Sequence, residues 1–343
     1  MRLIVDLDDD LINRVKGVNR GSLQNFIIVA LENQISLETS ESREMVDVAR
    51  NDFSSENRTE VIQTTNKNTE NRDILQKLQK GSLKFLSNEY TVRQLNKPLK
   101  DYYIWGQFNK LFPIKFCLRY LAKLQLDNEN KPVNLKQYQE KCSNEAIKMK
   151  RVLVENDIKF NRIWGENFSA GFPDDDKQKK SQLRFINQFI GYTTSQGEGA
   201  GALSDFGFVS IFENKIYFTQ AGLQFAQLVN PIIDVDPMSD ELFNEFEQEF
   251  IIEYLKNNLK REWEGVRSIL KWIHAGNNSP ETLNEKIKTL DAEGKWTINM
   301  INTMRTGFLG RMNDLKLTFR EKIGNKSVYY VTDYGKKVGD ING

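Results

Sequence analysis

The sequence is poor in the side chains that most often carry catalysis and metal binding. It has one histidine, His274, and two cysteines, Cys117 and Cys142, in 343 residues. A single imidazole excludes schemes that need two, and metal sites built from three. Two cysteines without CxxC spacing make neither a disulfide framework nor a zinc motif, which fits a reducing cytoplasm. We therefore expect no metal and no cofactor.

Long apolar runs are also missing. No stretch approaches the roughly 18 apolar residues that a membrane span needs, and residues 1–10 are acidic where a signal peptide would be basic and then apolar. With 39% hydrophobic and 28% charged residues and a mean hydropathy of −0.56, the chain is typical of globular proteins. We expect a cytoplasmic protein of more than one domain, without a membrane partner or a small-molecule substrate.

The net charge of +1 hides a marked segregation of charge. Residues 74–171 hold 18 Lys/Arg and 9 Asp/Glu, and residues 295–343 hold 9 and 4. Residues 236–294 hold 7 and 13. Positive segments raise the local concentration of polyanions such as DNA. A well-solvated surface is the alternative explanation of the same counts.

Composition divides the chain into four parts. Residues 39–73 are polar and poor in aromatics, which predicts a tether. Pro231 and Pro237 bracket a short extended stretch that predicts a second boundary. The predicted parts are an N-terminal segment over 1–38, the tether over 39–73, a domain with a helical extension over 74–235 and a domain over 236–343.

The N-terminal segment predicts one strand and two short helices. RLIVDLDDDLINRVK and RGSLQNFIIVALENQI resemble the strand, first helix and capped second helix of a ribbon-helix-helix module. The resemblance implies pairing of the strands of two chains, hence a homodimer, with Arg2, Ile4 and Asp6 facing bases. The acids from Asp6 to Asp10 disfavour contact with a polyanion. We therefore favour dimerisation without DNA reading; base reading and an unrelated small fold are the alternatives.

Two later stretches share one pattern. DFGFVSIFENKIYFTQAG (205–222) and DLKLTFREKIGNKSVYYVTDYG (314–335) each predict a helix end, a hairpin around Asn214 or Asn325, and a helix capped by Thr219 or Thr332. Both resemble the tail of a winged-helix domain, whose hairpin is the wing. At fold level the pair is similar to the tandem winged-helix recognition domains of type IIS restriction endonucleases. The predicted fold is mainly α with small β-hairpins, an α+β class.

The second stretch follows a predicted helix over residues 297–314. Its apolar side is expected to hold Ile298, Ile301, Met304, Phe308, Leu309 and Met312. Its other side carries Asn and Arg, which pair with adenine and guanine edges. The predicted DNA-binding residues are Asn299, Asn302, Thr303, Arg305, Thr306 and Arg311 in the helix, Lys316, Arg320, Lys322 and Lys326 in the turn and wing, and Lys179, Lys180 and Arg184 in the first domain. An ordinary amphipathic helix is the alternative.

A metal-dependent nuclease is the enzymatic alternative. Asp174, Glu213 and Lys215 follow the PD…ExK order of metal-dependent nucleases, but Glu213 and Lys215 have the polarity of a hairpin tip rather than of a strand interior. His274 is expected to cap a helix C-terminus, and the cysteines to be core. The leading hypothesis is a non-catalytic, sequence-specific protein that binds double-stranded DNA. A nuclease and a protein-interaction adaptor are the alternatives.

Overall fold

The first helical residues that the structure describes are 73–78, where the predicted tether ends. The computed structural model describes residues 73–85, 89–95, 97–99, 101–162, 165–174, 179–324 and 326–341. All of them belong to one compact unit, Gln63–Gly343. The predicted dimerisation segment 1–38 and the rest of the tether lie outside the described residues. The hypothesis of a ribbon-helix-helix module therefore stays a prediction.

The described residues are mainly helical, with small antiparallel sheets, which confirms the predicted α+β class. The first half contains α1 (Lys80–Leu83), α2 (Phe112–Asp127), β1 (Val133–Asn134), α3 (Leu135–Lys159), α4 (Lys179–Phe185), a π-helical segment (Ile186–Ile190), β2 (Tyr192–Thr193), β3 (Gly199–Ala200), α5 (Ala202–Asp205), β4 (Val209–Phe212), β5 (Lys215–Phe218) and α6 (Gln220–Gln227). The second half contains a π-helical segment (Pro231–Val235), α7 (Glu245–Asn258), α8 (Lys260–His274), α9 (Pro280–Lys288), α10 (Ile298–Asp314), β6 (Thr318–Ile323), β7 (Lys326–Val331) and α11 (Asp333–Val338).

The strands form one three-stranded sheet, in the order β1, β5, β4, and two hairpins, β2 with β3 and β6 with β7. Phe212 pairs with Lys215 across the β4/β5 hairpin, so Glu213 and Asn214 form its turn. Both have positive φ, 49° and 58°, as a two-residue I′ turn requires. Ile323 pairs with Lys326 in the longer β6/β7 hairpin. Both predicted hairpins are confirmed.

Each of these hairpins leads into a helix capped by the predicted threonine. Thr219 Oγ1 accepts a hydrogen bond from the Gly222 amide at 3.1 Å, and Thr332 Oγ1 accepts one from the Gly335 amide at 2.8 Å. A Cβ on Gly222 would lie 1.9 Å from a backbone carbonyl oxygen, and one on Gly335 would lie 2.1 Å from another. The shared Thr-x-x-Gly pattern therefore reflects close backbone packing as well as capping.

The same backbone junction precedes both hairpins. Gly207 and Lys316 each follow a helix end with positive φ, 67° and 55°. The next residues, Phe208 and Leu317, accept hydrogen bonds from the amides of the capping threonines at 3.0 and 3.1 Å. The same two carbonyl groups leave no room for a side chain at Gly222 and Gly335, the glycines of the Thr-x-x-Gly pattern. Two segments of unlike sequence thus build one local structure twice.

The central helix is α2, in which nearly every residue from Phe112 to Gln125 is buried. A helix buried on all sides needs partners for any charge that it carries. Arg119 Nη2 donates to Asp234 Oδ2 at 2.6 Å, and Lys115 Nζ lies 2.9 Å from Glu247 Oε1. The segment bracketed by Pro231 and Pro237 is π-helical over Pro231–Val235 rather than extended as predicted. Its Asp234, together with Glu247 of α7, supplies the counter-charges to α2.

Burial sets the protonation of the buried pair of Lys115 with Glu247. It lowers the pKa of Lys115 to about 8, against the opposing attraction of Glu247. It raises the pKa of Glu247 to about 6, against the attraction of Lys115. Asn230 Nδ2 donates to Glu247 Oε2 at 3.0 Å and adds a neutral donor to the carboxylate. Each member of the charged pair therefore compensates part of the desolvation of the other, and hydrogen bonds such as that from Asn230 compensate more of it.

Lys115→Met is expected to destabilise the protein more at pH 8 than at pH 5. Without the ammonium group, the pKa of Glu247 rises further above its unfolded value. The stability that the protonated carboxyl retains at low pH is then lost as pH rises through the folded-state pKa. Removing one partner of a buried pair costs about 3–5 kcal/mol, the scale expected at pH 8. Urea denaturation at both pH values measures the difference.

The double variant Lys115→Met/Glu247→Gln is the matched control for this pH dependence. Its loss of stability relative to the wild type should differ much less between pH 5 and pH 8, since it lacks the titrating carboxyl. Equal losses at the two pH values in the single variant would contradict the role given to Glu247.

Gly335→Ala is expected to destabilise the protein, because the new methyl group would overlap the Leu317 carbonyl oxygen. Overpacking of this kind costs about 1–3 kcal/mol. Gly81→Ala is the control, since a Cβ there meets nothing within 4 Å and the residue lies in α1. It should be neutral or stabilising by up to about 1 kcal/mol. Denaturant midpoints compare the two, and equal effects would refute the packing argument.

Candidate nucleic-acid interface

Three helices and a hairpin, α8 to β7, precede the closing helix α11. Ser279 caps α9, accepting from the Thr282 amide at 3.2 Å, and Pro280 occupies its first turn. Thr297 caps α10, accepting from the Met300 amide at 3.3 Å. The helix predicted over residues 297–314 is therefore confirmed, with its start within one residue of the prediction.

The exposed polar side of α10 lies mainly in its first half. Asn299 and Thr306 are exposed, and Thr303 is half-buried. Ile298, expected on the apolar side, is 62% exposed, because it is the first residue of the helix and precedes the packed turns. The other expected apolar residues, Ile301, Met304, Phe308, Leu309 and Met312, are buried.

Asn302 and Arg305 point at α9 and are engaged there. Arg305 Nη1 donates to the Pro280 carbonyl at 3.0 Å and to Asn284 Oδ1 at 2.9 Å. Asn284 Nδ2 donates in turn to Asn302 Oδ1 at 2.8 Å. Both predicted base-reading residues are half-buried and hold two helices together. They are part of the support of the exposed face.

Arg311 was predicted to face DNA, and the structure corrects this. Arg311 is only 4% exposed. Its Nη2 and Nε atoms donate to Glu262 Oε1 at 2.7 and 3.1 Å. Nη1 donates to the Phe108 carbonyl at 2.9 Å. The amphipathic pattern placed Arg311 on the polar side of the helix. Such a pattern does not show whether another segment covers that side. A segment from far earlier in the chain covers that side.

That segment, residues 104–111, lies across α10 and was not predicted. A Cβ on Gly307 would lie 2.3 Å from Gly106 Cα, and one on Gly310 would lie 2.3 Å from the Asn109 carbonyl oxygen. At the helix end, the Leu111 amide donates to Asp314 Oδ2 at 2.8 Å. Glycines spaced three apart in a helix were the signal for this close approach.

The same helix end carries a buried ion pair. Lys110 Nζ donates to Asp314 Oδ1 at 3.0 Å, with both side chains at most 4% exposed. Burial raises the pKa of Asp314, and Lys110 opposes that rise. The second half of α10 is therefore enclosed and does not belong to an open surface.

The hairpin keeps two of its four predicted basic residues at an exposed tip. Lys322 and Lys326 are exposed beside Ile323, which is 57% exposed. Lys316 instead pairs with Glu241 at 2.6 Å. Arg320 lies against Gly165, since a Cβ added to that glycine would be 3.0 to 3.2 Å from the guanidinium atoms. Of the four predicted basic residues, Lys322 and Lys326 therefore form the exposed basic surface, at the tip of the hairpin.

The first half lacks a counterpart of α10. Lys179, Lys180 and Arg184 are exposed on α4, but α4 does not lead directly into the β4/β5 hairpin. The helix that does is α5, which has only four residues, and the β2/β3 hairpin precedes it. A long helix joined to the hairpin is present only in the second of the two described repeats.

The residues of the nuclease alternative are spread over different elements. Glu213 lies in the β4/β5 turn and Lys215 is exposed at the start of β5, as their polarity indicated. Asp174 is bonded to Lys150 and accepts from Ser181 Oγ at 3.5 Å. Within the described residues, no group of three or more His, Cys, Asp or Glu side chains is arranged to hold a metal ion.

The remaining sequence predictions concern isolated side chains. His274 is the last residue of α8, as predicted for a cap. Cys117 and Cys142 are fully buried, with their sulfur atoms 3.8 Å apart, which confirms their place in the core. In the part of the chain that the structure describes, no helix combines the length and the apolarity that a membrane crossing requires.

The comparisons with known proteins return no relative. No protein-family model matches the chain, and neither a curated protein nor a solved structure is significantly similar to it. The function therefore has to be inferred from the geometry.

Arg311→Met is expected to lower stability by about 3–5 kcal/mol, because it leaves the Glu262 carboxylate buried without its cation. Thr306→Ala, on the exposed face of the same helix, should stay within about 0.5 kcal/mol of the wild type. Urea denaturation followed by circular dichroism measures both. An Arg311→Met variant with wild-type stability would show that the ion pair has no structural role.

Proposed function

We propose that α8 to α11 bind double-stranded DNA, with the first half of α10 in the major groove and the β6/β7 tip on the phosphate backbone. The observation that carries this proposal is that the same part of the chain has an exposed polar helix start and an exposed basic hairpin tip. A major groove is about 12 Å wide and admits one helix. The protein then acts as a non-catalytic, sequence-specific DNA-binding protein.

The helix start supplies side chains that discriminate base pairs. Asn299 is exposed and carries the amide that bonds adenine in a bidentate manner. Ile298, also exposed, fits the methyl group of thymine. In helix-turn-helix proteins the N-terminal residues of the recognition helix contact the base edges. Because the second half of α10 is enclosed, its N-terminal residues are the ones that would contact the base edges in this chain.

The helix is also held rigidly enough to read sequence. The bonds of Arg305 and Asn284 fix α9 against α10, and the contact of Gly106 with Gly307 fixes its other side. A site works best when packing and hydrogen bonds lock its supporting residues. The engaged residues Asn302 and Arg305 thus support the reading face without forming it.

The hairpin tip would contact the phosphate groups of DNA. Lys322 and Lys326 flank the turn, and cations there position a protein on DNA without reading sequence. The proposal includes dimerisation through residues 1–38, with the tether 39–73 allowing two copies to engage separated half-sites. Its support is the sequence pattern of that segment.

Lys322→Glu/Lys326→Glu is expected to weaken binding to random duplexes uniformly across sequences. The slope of log affinity against log salt should fall by about two, one for each lysine. Lys136→Glu/Lys141→Glu, which changes the charge equally at two exposed positions of α3, is the matched control. Fluorescence anisotropy between about 50 and 200 mM salt provides the comparison.

Selection of sites from random duplexes tests the reading face. Asn299→Ala should change the selected sequence at one position, and paired half-sites would support the dimer. Affinity that is absent, or equal for the two lysine variants, would overturn the proposal. Absent DNA affinity would favour an adaptor that binds protein instead.

A further inference from the structure

A cavity in the first half lies away from α10. Its volume is about 690 Å³, within the range of about 300–1,000 Å³ usual for small-molecule sites. The walls come from residues 97–99 with Leu95 and Tyr102, from the β2/β3 hairpin, from α5 and from β4. None of the lining residues belongs to α8 to α11, so the cavity is separate from the proposed DNA-binding surface.

The cavity occupies a specific place in the repeated structure. The junctions at Gly207 and Lys316 correspond, so Asp205 corresponds to Asp314. The second repeat reaches this point through the 17-residue helix α10. The first repeat reaches it through four-residue α5, after the glycine-rich β2/β3 hairpin. In the first repeat, α5 therefore forms part of a cavity wall. In the second repeat, the corresponding position is occupied by α10, the helix proposed to contact DNA.

The polar groups of the cavity favour a ligand that donates hydrogen bonds. Two carboxylates, Glu198 and Asp205, line it, together with one cation, Lys97. Lys97 Nζ lies 2.5 Å from Glu198 Oε1, so that cation is already paired. Tyr102 is hydrogen-bonded to Asp205, and burial raises the pKa of the phenol, which keeps it a donor. A carboxylate has about four acceptor sites, so Asp205 can accept further N–H groups.

The apolar part of the cavity surface indicates an amphipathic ligand. Most of that surface is aliphatic. The aliphatic lining residues are Leu95, Pro98, Leu99, Ala200, Val209 and Ile211.

We propose that this cavity binds a nitrogen heterocycle of nucleoside size, with its ring or exocyclic N–H groups donating to Asp205 and the ring against Leu99 and Val209. Phosphorylated forms are disfavoured, because the two carboxylates outnumber the single, paired lysine. The protein thus has a ligand site in one repeat and a nucleic-acid surface in the other.

Calorimetric titration of the full chain with guanosine, adenosine, cytidine and uridine tests this. At least one nucleoside should bind with saturation at one site per chain, and its 5′-monophosphate should bind at least tenfold more weakly. Asp205→Asn should weaken binding about tenfold or more, the loss of one charge-assisted hydrogen bond. Asp101→Asn, an exposed carboxylate outside the lining, should bind as the wild type does.

Gln196→Trp keeps the test decisive if Asp205→Asn does not fold. Gln196 is exposed on the rim of the cavity, so a large side chain there should obstruct entry while the chain stays folded. The proposal is overturned if no nucleoside binds with saturation, if the monophosphate binds equally well, or if a folded variant at 205 or 196 binds like the wild type. The DNA-binding proposal does not depend on this result.

Discussion

The fold depends on charges that are buried in pairs between distant parts of the chain. The central helix α2 carries Lys115 and Arg119 at positions with no access to water. A buried ion is strongly destabilising unless a counter-ion and further hydrogen bonds replace its hydration. Asp234 and Glu247 supply those charges from more than a hundred residues later. The segment between α6 and α7 therefore packs onto α2 through Asp234, and α7 packs onto it through Glu247.

The same constraint fixes the position of α10. Arg311 and Asp314 make buried ion pairs with Glu262 and Lys110, and these bonds bring residues 104–111 across the helix. The half of α10 near these pairs is enclosed, and the half before them keeps its polar side exposed. The interactions that stabilise the helix thus also decide which of its residues are available to a partner.

These pairs change the meaning of the charge segregation. The positive stretches 74–171 and 295–343 suggested an attraction to polyanions. Part of that positive charge is neutralised inside the protein, since Lys115 pairs with Glu247 and Arg119 with Asp234. Of the C-terminal basic residues, Arg311 and Lys316 pair with Glu262 and Glu241. Counts along the chain cannot distinguish charges that meet each other from charges that meet solvent.

What the sequence by itself determined is local. The hairpin turns, the threonine caps and the helix starts depend on residues within a few positions of each other, and each has the predicted structure. Only the tertiary structure decided which side of α10 is exposed, that Asn302 and Arg305 join two helices, and that a cavity opens in the first repeat. The physical reason is distance along the chain. A hydrophobic period reports that a face is covered, but the covering segment, here residues 104–111, leaves no mark within the helix beyond its glycines.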